Sequence, residues 1–286
     1  MSSYYSPLRY PGGKNCIFDF VLNLFRENAM LGTSYAEPYA GGAGLALRLL
    51  LKGYVEHIYI NDFDRAIYAF WETVVKSPNE LCKWIEEVNV SIDSWFYYRE
   101  IYRNSSTNEI LELAKATFFL NRTNISGVIK GGVIGGFQQS GKYKINARFN
   151  KADLIARIQN ISNFKQCITV SNLDGIDFIK ELENKNEDIF IYLDPPYYKK
   201  GAELYMNYFS KIDHMNLSEH VHRLKKKWMV SYDNHDFILK LYENKSRLTY
   251  KLAQNTSNRI GDEVLIFPDS MRFKDSMLKL KSPVLI

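Results

Sequence analysis

The sequence predicts an open parallel α/β sheet with helices on both faces, interrupted in its middle by a long insertion. Three observations predict it. Short β-branched or aromatic runs alternate with helical-period segments at both ends of the chain, and a glycine-rich turn separates the first run from its helix. Between roughly residues 64 and 165 the pattern is helical and then glycine-studded, without that alternation. A chain of 286 residues, 46% hydrophobic and 24% charged, can bury the full core such a sheet needs.

Taken in order, Cys16–Met30 carries Ile17, Phe20, Val21, Leu24 and Phe25 at helical spacing. Ser34–Glu37 is a short strand, broken by Pro38 and the glycines of EPYAGGAG (37–44) before a helix at Leu45–Lys52. His57–Asn61 is the next strand, with Asp62 at its C-terminal end, which completes a strand, turn, helix, strand unit. Phe63–Asn121 is almost wholly helical. Residues 127–146, with glycines at 127, 131, 132, 135, 136 and 141 among β-branched and basic residues, suggest a hairpin on a flexible loop. A helix follows at Lys151–Ile161. Alternation then resumes through Ile168–Ser171, Ile176–Glu183, Ile189–Leu193, Leu217–Lys225, Trp228–Ser231, Phe237–Tyr242, Leu248–Leu252 and Val264–Phe267; the tail Leu278–Ile286 is too short to interpret.

Cys16, Cys82 and Cys167 lie far apart with no C-x-x-C pair, so reduced structural thiols are expected and no metal site. The apolar runs fall far short of the roughly 18 residues that span a membrane, and no charged-then-apolar leader opens the chain. A cytoplasmic protein with no membrane partner is the expectation. Net charge is +5, and from Leu113 to Ala152 there is no acidic residue beside Lys115, Arg122, Lys130, Lys142, Lys144, Arg148 and Lys151. Such a stretch is either a polyanion footprint or a solvated basic face.

RYPGGKN (9–15) looks at first like a phosphate loop, but Arg9 stands where the first glycine belongs and Asn15 where the magnesium-holding hydroxyl belongs. EPYAGGAG with Asp62, 21 residues past Gly41, suits a ribose held at a strand end. Glu37 beside the turn favours a cationic ligand over a diphosphate. In IFIYLDPPYYKKG (189–201) a buried strand ends in Asp194-Pro195-Pro196-Tyr197. The prolines stiffen the turn, so a carboxylate, a carbonyl and an aromatic face are presented together. Asp194 and the Pro195 carbonyl can accept both hydrogens of an exocyclic amine while Tyr197 stacks on its ring.

These motifs together resemble the Dam-like adenine-specific DNA methyltransferases that use S-adenosylmethionine. RYPGGK (9–14), EPYAGGAG, NDFD (61–64), FFLNRTNISG (118–127), DPPY, SYDN (231–234) and DEVLIF (262–267) follow that family's order over nearly the whole chain. The resemblance implies a Rossmann-like methyltransferase sheet formed by residues 1–63 and 166–286, with a helical and β-hairpin target-recognition insertion at 64–165. It implies cofactor contacts from Tyr10, Lys14, Glu37, Tyr39, Gly41, Gly42, Gly44, Asp62, Asp177 and Asp194, with Asp174 close to Asp177. Asp194, Pro195, Pro196 and Tyr197 are the implied catalytic motif. Asn121 and Arg122 resemble DNA-contacting residues. Lys130, Lys142, Lys144 and Arg148 would hold phosphates, and Gln138 and Gln139 either read base edges or supply loop polarity.

The expected reaction is methyl transfer to N6 of an adenine flipped out of duplex DNA, by a monomer, in an orphan role or beside a separate restriction endonuclease in a bacterial or phage setting. Methylation of cytosine N4 and a non-catalytic DNA-binding regulator are the alternatives. Ile125-Ser126-Gly127 stands where the GATC-reading members have aromatic-Asn-Gly, which leaves the target sequence open. Lys14 suits a cofactor carboxylate and a DNA phosphate equally.

Overall fold

The computed structural model describes residues 5–10, 14–199, 209–253 and 260–286. The Pro11-Gly12-Gly13 turn and Lys200-Gly201 of the motifs above lie outside the described residues. Strands β1 (Ser34–Glu37), β2 (Ile58–Asn61), β3 (Ile168–Ser171), β4 (Ile189–Leu193), β5 (Lys227–Asp233), β6 (Ser246–Ala253), β7 (Ile260–Phe267) and β8 (Val284–Leu285) form one sheet in the order β3-β2-β1-β4-β5-β7-β6-β8. The first five run parallel; β7 is antiparallel to both β5 and β6.

β1 is flanked by β2 on one side and β4 on the other, so the order of strands reverses between β1 and β4. That reversal opens a crevice beyond the strand ends, where open α/β sheets take their ligands. Both chemistry-bearing motifs leave the sheet there. The unbroken apolar run of β4 follows from burial on both faces: Phe190 and Tyr192 join one core, Ile189, Ile191 and Leu193 the other.

The inserted helices are α3 (Arg65–Lys76), α4 (Pro78–Glu87), α5 (Ile92–Arg103), α6 (Ile110–Thr123) and α7 (Lys151–Ser162), after α1 (Phe18–Glu27) and α2 (Gly44–Leu51). Phe70 of α3 stacks on Phe118 of α6 at 5.2 Å, and both share one core with Phe20 and Phe25 of α1. The insertion is therefore continuous with one face of the sheet. On the other face lie α8 (Gly175–Glu183), α9 (Lys211–Arg223) and α10 (Asp236–Leu241).

Three expectations need correction. Residues 127–146 form no hairpin: one antiparallel bridge joins Asn124 to Val133, and the rest is turns and a 3-10 turn at Ile145–Arg148. Gly127, Gly135 and Gly136 hold φ of +77°, +84° and +71°, values that cannot continue a strand ladder. The helix expected at Leu217 begins at Lys211, because Ser210 and Asp213 form a capping box ahead of a polar first turn that hides the apolar period. The tail supplies β8, paired with β6. Among the described residues no helix is long and apolar enough to cross a membrane.

Candidate active site

The glycine turn after β1 is built by backbone geometry that few side chains permit. Gly41 has φ +46°, and a Cβ there would lie 2.5 Å from the Tyr10 ring, which covers the turn. Asp62, at the end of β2, clamps the turn from below: Oδ2 accepts from the Gly41 N–H and Oδ1 from the Asp64 N–H, each at 2.9 Å. Trp71 Nε1 donates to the Gly41 carbonyl at 2.8 Å. Asp64 caps α3 instead of facing the crevice.

Two carboxylates here are held near neutrality by burial. Glu37 accepts from Tyr35 Oη at 2.9 Å and the Ala46 N–H at 3.2 Å, yet desolvation pushes its pKa up to about 8. Desolvation, with Asp64 adding repulsion, pushes Asp62 up to about 7. A cation entering beside Glu37 would restore its charge at neutral pH, which fits a sulfonium or ammonium group better than a phosphate. Tyr39 reaches across to α8, where its hydroxyl leaves no room for a side chain at Gly175. Asp174 caps α8 through the Ile176 N–H, while Asp177 is exposed and paired with Lys180 at 2.8 Å.

Asp194 emerges from β4 into a buried network. Lys14 Nζ lies 3.0 Å from its Oδ1, and Ser231 Oγ donates to the same oxygen at 2.6 Å. Lys14 also donates to Tyr197 Oη at 2.6 Å. Burial raises the Asp194 pKa, while Lys14 and Ser231 oppose that shift by favouring the anion. Lys14 thus meets Asp194 and Tyr197 of the Asp-Pro-Pro-Tyr turn itself, a partner that neither sequence reading supplied.

The turn after Asp194 is fixed by two acids from neighbouring strands. Asp233 of β5 accepts from the Tyr198 and Lys199 N–H groups, both at 2.9 Å. Glu263 of β7, its partner across the ladder, accepts from Tyr197 Oη at 2.6 Å, and Tyr250 of β6 donates to its other oxygen at 2.6 Å. Sequence reasoning marked SYDN and DEVLIF as strands but missed Ser231, Asp233, Tyr250 and Glu263. The available signal was their position at the same end of adjacent strands as Asp194.

In the insertion, Lys130, Gln138, Lys142, Lys144 and Arg148 are exposed and can meet a polyanion. Asn121, Arg122 and Gln139 are instead bonded within the fold. Asn121 is fully buried, bonded to both backbone groups of Arg9 and to the Gly127 carbonyl. Arg122 is buried and donates to the Arg148 and Pro7 carbonyls. Gln139 bonds Ile134, Gly136 and Ile145 within its own loop. Their polarity serves the backbone of tight turns. Asn124, unnoticed in sequence, anchors the loop through Trp95 Nε1 and the carbonyls of Val128 and Ile129. Phe96 and Phe137 stack at 5.6 Å on the exposed surface of this region.

A family model described as D12 class N6 adenine-specific DNA methyltransferase matches residues 10–256. The chain is 23% identical to the Type II methyltransferase M.CviBI of a Paramecium bursaria Chlorella virus over 236 residues, covering 81% of this chain and 86% of that protein. It is 26% identical to the Type II methyltransferase M.MjaIII of Methanocaldococcus jannaschii over 281 residues, covering 90% and 93%. It is 24% identical to Modification methylase StsI of Streptococcus sanguinis over 206 residues, which is 67% of this chain and 28% of that one.

Proposed function

Because this chain belongs to the D12 class N6 adenine-specific DNA methyltransferase family, we propose that its Asp194 centre methylates N6 of an adenine flipped out of duplex DNA, with S-adenosylmethionine as donor. The observation that carries this reading is the position of Asp194 and Pro195 at the sheet's switch point, facing the Glu37 and Asp62 crevice across β1 and β4. S-adenosylmethionine supplies a methyl group on a positively charged sulfur. Glu37 and the glycine turn under Tyr10 suit its cationic end, and Asp62 suits its ribose.

An exocyclic amine is a weak nucleophile because its lone pair is delocalised into the ring. Lys14 and Ser231 both bind Asp194 through Oδ1, which orients the carboxylate and leaves Oδ2 for one amino hydrogen. Among the described residues no backbone donor reaches the Pro195 carbonyl, which takes the other hydrogen. Accepting both hydrogens turns the nitrogen lone pair out of the ring plane and towards the methyl group. Orientation and a desolvated pocket provide most of the rate enhancement, and the proton leaves through the acceptors. The Tyr197 ring stacks on the base and offsets part of the few kcal/mol that flipping costs. Lys130, Lys142, Lys144 and Arg148 hold flanking phosphates. We further propose a monomer acting in the cytoplasm beside a separate endonuclease, a role suggested by the Type II names of the relatives.

Labelled S-adenosylmethionine and unmethylated genomic DNA test the reading, with the modified base identified after digestion. Label in N6-methyladenine is expected. Label in N4-methylcytosine would move the assignment to cytosine, and no label in DNA would overturn it.

A further inference from the structure

We infer that Glu263 is a positioning residue whose carboxylate sets the charge of the Asp194 centre by sharing Lys14 with it. The inference rests on the methyl-transfer reading above and concerns how the centre accommodates positive charge. Glu263 is 3% exposed, and its Oε2 lies 3.9 Å from Lys14 Nζ while Asp194 Oδ1 lies 3.0 Å from the same nitrogen. One ammonium therefore serves two carboxylates, and Tyr197 Oη touches both Lys14 and Glu263.

The neighbouring groups do not change this balance near pH 7. Glu37 keeps its proton to about 8, the Cys16 thiol is raised by burial, and Tyr35, Tyr192, Tyr197 and Tyr250 are raised well above the usual phenol range. Counted at their formal charges, two carboxylates and one ammonium leave one net negative charge in this desolvated site, where Lys14 and Ser231 favour the Asp194 anion against its burial. Methyl transfer to a neutral amine places one positive charge on its nitrogen until the proton leaves. The cluster is complementary to that charge, and fixed charge of this kind acts strongly where water is excluded. With Asp194 and Lys14 alone, the pair would be neutral and its carboxylate a poorer proton acceptor. Glu263 also holds Tyr197 in place, so packing and charge must be separated experimentally.

Glu263→Gln keeps the side-chain shape and removes the charge. Loss of one charge-assisted interaction predicts a fall in kcat of about 10- to 100-fold, with the KM for cofactor little changed. Lys14→Met alone leaves the centre with two negative charges, and adding Glu263→Gln returns it to one. The charge role therefore requires Glu263→Gln to cost much less in the Lys14→Met background, or to restore rate there. Equal losses in both backgrounds, or normal turnover by Glu263→Gln, would overturn the inference. Absence of DNA methylation by the wild type would overturn the methyl-transfer reading instead.

Discussion

Asn121 holds Arg9 from both sides: its Oδ1 accepts the Arg9 N–H at 2.8 Å and its Nδ2 donates to the Arg9 carbonyl at 2.7 Å. A side-chain amide here imitates one rung of a β-ladder. It ties the N-terminal segment to the end of α6, where Arg9 Nη1 also donates to the Asn124 carbonyl. The same segment lays Tyr10 over Gly41 and brings Lys14 to Asp194. The insertion, the glycine turn after β1 and the Asp194 turn are thus joined through a few residues of chain.

Replacing Asn121 with Leu should destabilise the protein by roughly 2–5 kcal/mol, since it strands buried backbone groups of Arg9 and Gly127. Thermal unfolding measures this. DNA affinity of the folded variant at fixed salt should not change, because the side-chain amide is spent on Arg9 and Gly127. Clearly weaker DNA binding by a variant that keeps wild-type stability would restore Asn121 to the DNA interface.

Lys130→Gln and Lys142→Gln should each leave the fold intact and weaken binding to all duplexes alike. Removing one phosphate-binding charge lowers the salt slope by about one unit. Binding isotherms at several salt concentrations give the slope, and an unchanged value for both variants would move the DNA path away from this loop.

Cofactor-free protein should lose stability as pH rises through neutrality. Unfolded Glu37 and Asp62 release their protons near 4.5 and 3.8, but in the folded state they keep them to about 8 and about 7. Between those limits the folded state binds more protons, so the free energy of unfolding falls with rising pH and levels above about 8. Melting temperatures across this window should show the decline, and Glu37→Gln should flatten its upper part. A cationic cofactor should expel the Glu37 proton on binding, visible by calorimetry in buffers of different ionisation enthalpy. Identical heats in all buffers at pH 7 would contradict the picture.

Gly41→Ala should weaken cofactor binding more than stability. The left-handed φ costs about 1–2 kcal/mol for a residue with a Cβ, and the methyl group would press into Tyr10. Cofactor titration of the variant should show at least a several-fold weaker dissociation constant, whereas wild-type affinity would mean that the turn does not form the binding surface.

Much of the catalytic sheet is legible in the sequence because burial on two faces demands it. The apolar run of β4 begins and ends where the strand does, and the Asp194-Pro195-Pro196 that stops it stands at the sheet's switch point. The hairpin misreading shows the limit: β-branched residues suggested strands, but left-handed glycines bent the chain into turns. Local pattern records which residues are buried on a strand or helix. It does not record which distant polar groups share a burial site.

Local pattern was enough for the α/β class, the glycine turn after β1 and the Asp194 motif, since each is set by periodicity and backbone chemistry over a few residues. Only the tertiary structure decided what Lys14 meets, because Tyr197 lies 183 residues away and Glu263 comes from an antiparallel strand at the far end of the chain. It alone also separated the inward-bonded Asn121, Arg122 and Gln139 from the exposed lysines beside them, since a polar side chain satisfies its hydrogen bonds wherever folding puts its partners.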